Sequence, residues 1–166
     1  MDKRYALILI IILGCCINLF IISHSSDLIG SASVECGNYI FTMPQEFTLY
    51  DSYINQVHLH DSKTGMNVYV YSKLDKSDNY DNKLKEIPAK GYTILSNGTI
   101  KAGDFEVKSV YYVNNNNHQN RSTFFFEKDN NQFRVLMTDF NMDADRNATI
   151  DYIVKIVESI KYNYKR

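Results

Sequence analysis

The sequence predicts an α+β domain: a mostly antiparallel β-sheet packed by a long C-terminal helix and a short middle helix, after one N-terminal transmembrane helix. Three observations predict it. Residues 5–22, YALILIIILGCCINLFII, carry no charge and lie between Asp2-Lys3-Arg4 and the polar Ser23–Asp27. Across residues 38–140, short β-branched and aromatic stretches alternate apolar with polar, the period of half-buried strands. From Ala148 to Tyr162 the apolar residues recur at helical spacing instead.

As a helix the charge-free run would be about 27 Å long, close to the roughly 30 Å of bilayer hydrocarbon. It reads as a signal anchor over residues 5–23, with residues 1–4 a cytoplasmic tail held inside by Lys3 and Arg4. Two alternatives stay open. Gly30-Ser31-Ala32 offers a small-x-small cleavage pattern, and Ile12-Leu13-Gly14-Cys15 resembles a lipobox with Cys15 as the modified residue. In all three readings the C-terminal domain sits outside the cytoplasm, at the cell membrane. Residues 24–36 then form a stalk, 37–162 the extracytoplasmic domain, and 163–166 a tail.

Composition bounds the partners. Without Lys3, Arg4 and Asp2 the chain keeps 16 basic and 18 acidic residues, a net charge of −2. A nearly neutral surface of mixed sign gives no footprint for nucleic acid. Two of the three cysteines lie in the apolar run, so Cys36 stands alone in the exported part and cannot form a disulfide within it. The fold must stand on its apolar core.

The elements follow in order. Asn38–Met43 alternates and stops at Pro44, a strand. Val57-His58-Leu59-His60 and Met66–Tyr71 flank the turn residues Asp61-Ser62-Lys63-Thr64-Gly65, a hairpin with Val57, Leu59, Met66, Val68 and Val70 on its core face. Asp78 is placed to cap a short helix bearing Tyr80, Leu84 and Ile87, closed by Pro88 and Gly91. Asn97-Gly98 between Tyr92–Ser96 and Thr99–Lys101 predicts a second hairpin. Gly103-Asp104 turns into a long strand from Phe105 to Val113. Phe124-Phe125-Phe126 marks Ser122–Glu127 as an interior strand covered on both faces, and Gln132–Phe140 is the next. The closing helix carries Ile150, Ile153, Val154, Val157 and Ile160 as its stripe. Burying five such side chains contributes roughly 8–15 kcal/mol before entropy is subtracted.

Tyr39-Ile40-Phe41-Thr42-Met43-Pro44, Ile100-Lys101-Ala102-Gly103-Asp104-Phe105 and the helix Ile153–Lys161 together give the chain a resemblance to PsbP/Mog1/DcrB-like domains, spanning about Asn38 to Tyr162. The resemblance implies a small antiparallel sheet sandwiched by helices. Members of that family serve as photosystem assembly factors, nuclear-transport cofactors and envelope lipoproteins, so it implies no single activity and no shared catalytic residue.

Two constellations bear on metals. His58 and His60 project from one face of a strand, a two-histidine start for zinc that lacks a third ligand nearby in sequence; solvent-facing positions of a hairpin explain them as well. Asp139, Asn141, Asp143 and Asp145, with Asn147, place oxygens at alternate positions like the opening of a calcium loop. Ala144 stands where such a loop turns on Gly, and Ile150 where it has Glu. The plainer reading is a polar loop in which Asp145 or Asn147 caps the last helix. No cofactor is expected beyond a weak calcium ion. Tyr69, Tyr71 and Tyr112 would form an aromatic surface for a glycan or protein if left uncovered. No nucleophile elbow and no phosphate-cradling glycine loop occurs.

The expectation is therefore a membrane-anchored extracytoplasmic binding or assembly module of the cell envelope. Its partners would be the membrane, through residues 5–23, and an envelope protein or glycan, with no nucleic acid. The alternative is a metal-dependent hydrolase using His58, His60 and acidic residues.

Overall fold

Alternating side chains sort the strands into two antiparallel sheets. The computed structural model describes residues 32–164. The tail and anchor expected over residues 1–23, and the stalk as far as residue 31, lie outside the described residues. The large sheet has the order β3-β4-β5-β9-β8-β7-β6. Its members are β3 (Thr48–Tyr53), β4 (Gln56–His60), β5 (Asn67–Ser72), β6 (Tyr92–Ala102), β7 (Phe105–Asn114), β8 (Asn120–Lys128) and β9 (Asn131–Thr138). The small sheet, β1-β2-β10, joins β1 (Ser33–Cys36) and β2 (Tyr39–Thr42) to β10 (Lys161–Tyr162). The helices are α1 (Tyr80–Ala89) and α2 (Met142–Ser159). Among the described residues the α+β class with mostly antiparallel pairing, one short helix and one C-terminal helix, stands as predicted. Among the described residues no helix is long and apolar enough to cross a membrane.

The large sheet has two unlike faces. Its inner face carries Val57, Leu59, Val68, Val70, Val107, Phe124, Phe126, Phe133, Val135 and Met137, all buried. The small sheet and α2 contribute to the same core through Phe41, Ile153, Ile156, Val157 and Ile160. On the outer face α1 covers only one part, where Ile87 packs with Val110 and Tyr112 and with the half-buried Tyr80, Leu84, Tyr92 and Ile94. The part over β4, β5 and β9 has no helix on it among these clusters. That asymmetry positions the site.

Several expectations are corrected. Asn97-Gly98 does not turn: it lies inside β6, with Asn97 opposite Val110 and Gly98 opposite Ser109. The turn falls at Gly103-Asp104, where Gly103 adopts φ +58 and Ala102 pairs with Phe105. A full-length partner strand outweighs the local turn preference. Residues 33–36, placed in the stalk, form β1 because Val34 and Cys36 point into the core. Thr48–Tyr53, for which the sequence predicts no element, is the edge strand β3, whose side chains are almost all exposed and so lack alternation. The α1 cap is Asn79, whose side chain accepts from the Asn82 N–H at 3.0 Å; Asp78 pairs with Arg134 instead.

The last helix starts six residues before the predicted Ala148 and ends at Ser159. There the Ser159 hydroxyl accepts from the Thr42 N–H at 2.9 Å, and Lys161–Tyr162 pair with Tyr39–Ile40. The buried stripe is Thr149, Ile153, Ile156, Val157 and Ile160, while Ile150 and Val154 are half-buried. Cys36 is fully buried, and its thiol donates weakly toward the Ser72 hydroxyl at 3.4 Å. Burial pushes its pKa up, so it is held as an inert thiol.

Candidate functional site

On the uncovered part of the outer face, the β4–β5 register puts His58 opposite Tyr69 and His60 opposite Asn67. Both imidazoles turn to one atom: His58 Nε2 lies 2.9 Å and His60 Nδ1 3.0 Å from Asn67 Oδ1. An amide oxygen only accepts, so both rings donate to it, and its two lone pairs satisfy both. The Asn67 amide nitrogen donates in turn to the Gly65 carbonyl at 3.2 Å and to Asp139 Oδ2 at 3.0 Å.

Asp139 follows β9 in a left-handed conformation, φ +65, which Asp tolerates better than most residues. Thr138 Oγ1 donates to its Oδ2 at 2.7 Å and Gln119 Nε2 donates to its Oδ1. Gln119 Oε1 accepts from Arg121 Nε at 3.1 Å and Nη2 at 2.7 Å, and the guanidinium lies 5.2 Å from the Tyr92 ring centre. Burial alone would raise the Asp139 carboxyl. The hydrogen bonds from Thr138, Gln119 and Asn67, with the Arg121 charge, outweigh it and hold the group below the usual carboxylate range.

Aromatic rings flank this chain of bonds. His58 stacks on Tyr69 with centroids 4.3 Å apart and planes at 15°. Tyr50 on edge strand β3 lies 4.8 Å from the His58 ring and is 72% exposed. Burial, then the Tyr71 hydroxyl and Asp139, raise the Tyr69 hydroxyl pKa. Tyr71 is half-buried under the Arg134 guanidinium, 4.1 Å from the ring centre. Tyr112, counted above with the exposed tyrosines, is buried beneath α1, its hydroxyl 3.0 Å from Thr123 Oγ1.

The structure thus gathers His58, His60 and Asp139, but around an amide. Among the described residues no group of three or more His, Cys, Asp or Glu is placed to hold a metal ion. The other predicted oxygens serve elsewhere. Asp145 and Asn147 lie inside α2 and not in a loop that caps it; from there Asp145 Oδ2 reaches back to accept from the Asn141 N–H at 2.9 Å, just before the helix. Asp143 lies within α2, and its side chain is outside the described residues. Sequence reasoning missed Asn67, Gln119, Arg121 and Tyr50. Asn67 was recoverable, because the Asp61–Gly65 turn fixes the register that sets it beside His60. Gln119 and Arg121 arrive at the open end of the β8–β9 hairpin, away from its Asp129-Asn130 turn, where no residue beside them in sequence marks the contact with Asp139.

Chemically, the arrangement is a satisfied polar stripe beside stacked rings: it offers hydrogen bonds and flat apolar contact to something laid across it. The one aliphatic hydroxyl in the stripe, on Thr138, donates to a carboxylate.

The two-sheet architecture with a C-terminal helix defines an α+β class. No family model matches the sequence, and no curated protein matches it. A crystal structure from Bacteroides thetaiotaomicron VPI-5482 is similar at a TM-score of 0.51 and 10% identity, covering 82% of this chain and 50% of that one. The chain therefore spans about half of that protein, and the likeness shows a shared fold alone. The cyanobacterial PsbP of Synechocystis sp. PCC 6803 is similar at 0.46 and 12% identity, over 75% of this chain and 86% of that one. LpqN of Mycobacterium tuberculosis, a protein involved in cell envelope biogenesis, is similar at 0.48 and 13%, over 80% and 90%.

Proposed function

We propose that the chain is a binding or assembly module of the cell envelope, tethered to the membrane by residues 5–23, whose contact surface is the outer face over β4, β5 and β9. The observation that carries this reading is the ring cluster of His58 stacked on Tyr69, with Tyr50 tilted against it, beside the Asn67–Asp139–Gln119–Arg121 stripe. Tyr and Arg are the side chains that most often dominate binding surfaces. Here both are held in place by hydrogen bonds and stacking, which lowers the ordering cost of association. The charge-free run after Lys3 and Arg4 supports a membrane tether. The partner is an envelope protein or a glycan.

A photo-crosslinking side chain at Tyr50 or Tyr69, in the full chain in its own cells, tests this. Crosslinks to one defined partner from those sites, and none from Leu95 on the opposite edge strand, are expected. Equal labelling from all three sites, or none, rejects the contact surface.

One observation favours the metal-dependent hydrolase as a second reading: His58 and His60 converge on a single point beside Asp139. It would require zinc to take the place of the Asn67 oxygen, and zinc titration distinguishes the two readings.

A further inference from the structure

Where α1 meets the sheet, a pocket of about 140 Å³ opens between Lys83, Glu86 and Lys90 on the helix and Tyr92, Tyr112 and Arg121 on the strands, with Ile87 at its apolar wall. Three cations line it against one carboxylate. Glu86 serves both lysines, 3.7 Å from Lys83 Nζ and 3.1 Å from Lys90 Nζ. Among the described residues Arg121 has no carboxylate at ion-pair distance; its Nε and Nη2 donate to the neutral Gln119. Arg134, paired with Asp78, adds its field to the same corner. Lys83, Lys90 and Arg121 against Glu86 leave the pocket lining at +2, with Asp139 bearing on Arg121 from outside the pocket through Gln119, in a chain whose net charge is −1.

Like charges gathered over one face of a sheet are unfavourable unless something offsets them. The Lys83 side chain is only 20% exposed. Burial first, and then the Arg134 charge, lower its pKa from the ordinary lysine value. Glu86 and Asp78 act the other way without reversing it, and a lysine so perturbed in a cleft is a candidate for a functional site.

The geometry points to a binding site for a small oxyanion of the phosphate class, held by Lys83, Lys90 and Arg121. A phosphate monoester carries about −1.5 to −2 at neutral pH, which matches the local +2 where a carboxylate would meet only half of it. The pocket has room for roughly four or five waters at about 30 Å³ each, enough for one phosphoryl group. Arginine suits such oxygens because its planar donors meet two at once, and Gln119 fixes the orientation of Arg121. Lys90, with 64% of its side chain exposed, is free to turn from Glu86 to a ligand. The site goes beyond the partner reading; it shares Arg121 with the stripe, and its test needs no partner there.

Calorimetric titration of inorganic phosphate into the full chain in non-ionic detergent, at ionic strength fixed with chloride, tests it. Saturable binding is expected, weakened about tenfold by Arg121→Gln, as loss of a charge-assisted hydrogen bond implies, and likewise by Lys83→Met. Glu86→Gln removes the competing carboxylate and is expected to tighten binding about threefold. That opposite sign separates a site from general loss of structure, and thermal unfolding confirms that each variant folds. Soluble short-chain phosphatidic acid in place of phosphate distinguishes the source. Binding of the lipid with the same variant pattern, tighter than phosphate, assigns a lipid headgroup, and equal binding assigns the phosphoryl group itself. Heat that chloride alone reproduces, binding unchanged in Arg121→Gln, or no saturable heat with either probe overturns the site.

Discussion

The Asn67 side-chain amide donates to the Asp139 carboxylate across 3.0 Å, joining residues 72 apart in the chain. The same amide accepts from His58 and His60, so one neutral side chain ties β4, β5 and the end of β9 together. Asn67→Ala leaves two ring donors without this acceptor and takes one of the two donors from Asp139 Oδ2, which keeps Thr138, at a half-buried position. A loss of about 1–3 kcal/mol is expected in urea denaturation. His58→Ala leaves the Asp139 bond intact and should cost less. Equal losses for both variants would mean that Asn67 contributes by packing and not by joining the strands.

Metal ions provide the second test. Zinc at His58 and His60 has to displace Asn67 Oδ1 from both rings. Calcium would have to draw Asp139 away from Thr138, Gln119 and Asn67, and Asp145 from the Asn141 N–H. Neither ion is expected to raise the melting temperature of the full chain over an EDTA control, since only a ligand that favours the native state does so. A zinc-dependent rise that disappears in His58→Ala would instead establish the metal-dependent reading.

How much of this was legible follows from where each contact is made. The β4–β5 hairpin was legible because its core face and its turn are adjacent in sequence. The Asp61 turn, in which the Thr64 hydroxyl and the Lys63 N–H donate to the carboxylate, is local chemistry. Asn97-Gly98 misled for the same reason: the local preference was read correctly, and the ten register pairs of β6 on β7 overrode it. The stripe of α2 was rotated in the reading. Val154 and Ile150 look as apolar as Ile156, and only the packed sheet shows that Ile156 faces it. The site itself joins β4, β5, β8 and β9, and its Gln119 and Arg121 are polar residues near a loop with no pattern to mark them. Sequence finds the faces of elements; it does not find which faces meet.

Asp61 carries a pH dependence with a definite sign. It is buried, which raises a carboxyl pKa, but hydrogen bonds from Thr64, then from the Lys63 and Thr64 N–H groups, more than reverse that and hold it below the ordinary value. A group depressed in the folded state contributes stability that is complete above its unfolded pKa of about 4 and is lost as pH falls through the folded value. Asp61→Asn should therefore reduce stability at pH 7 by about 1–2 kcal/mol through the lost charge-assisted bonds. It should also flatten the acid limb of stability against pH below about 4. An acid limb unchanged in the variant would assign that dependence to other carboxylates, Asp139 first.

The α2 stripe gives the last prediction. Ile156 is 0% exposed and belongs to the cluster that joins the inner sheet face to the small sheet, while Val154 only rests against it. Large-to-small changes in such a core lose transfer free energy and leave a cavity, about 2–5 kcal/mol for Ile→Ala. Ile156→Ala is therefore expected to lose that much in denaturant unfolding, with Val154→Ala losing about 1 kcal/mol or less. The two substitutions lie on one helix and differ little in helix propensity, so their difference reports packing and not local helix stability. If Val154→Ala costs as much as Ile156→Ala, α2 is turned about its axis from the orientation described, and the stripe read from spacing alone would be the buried one.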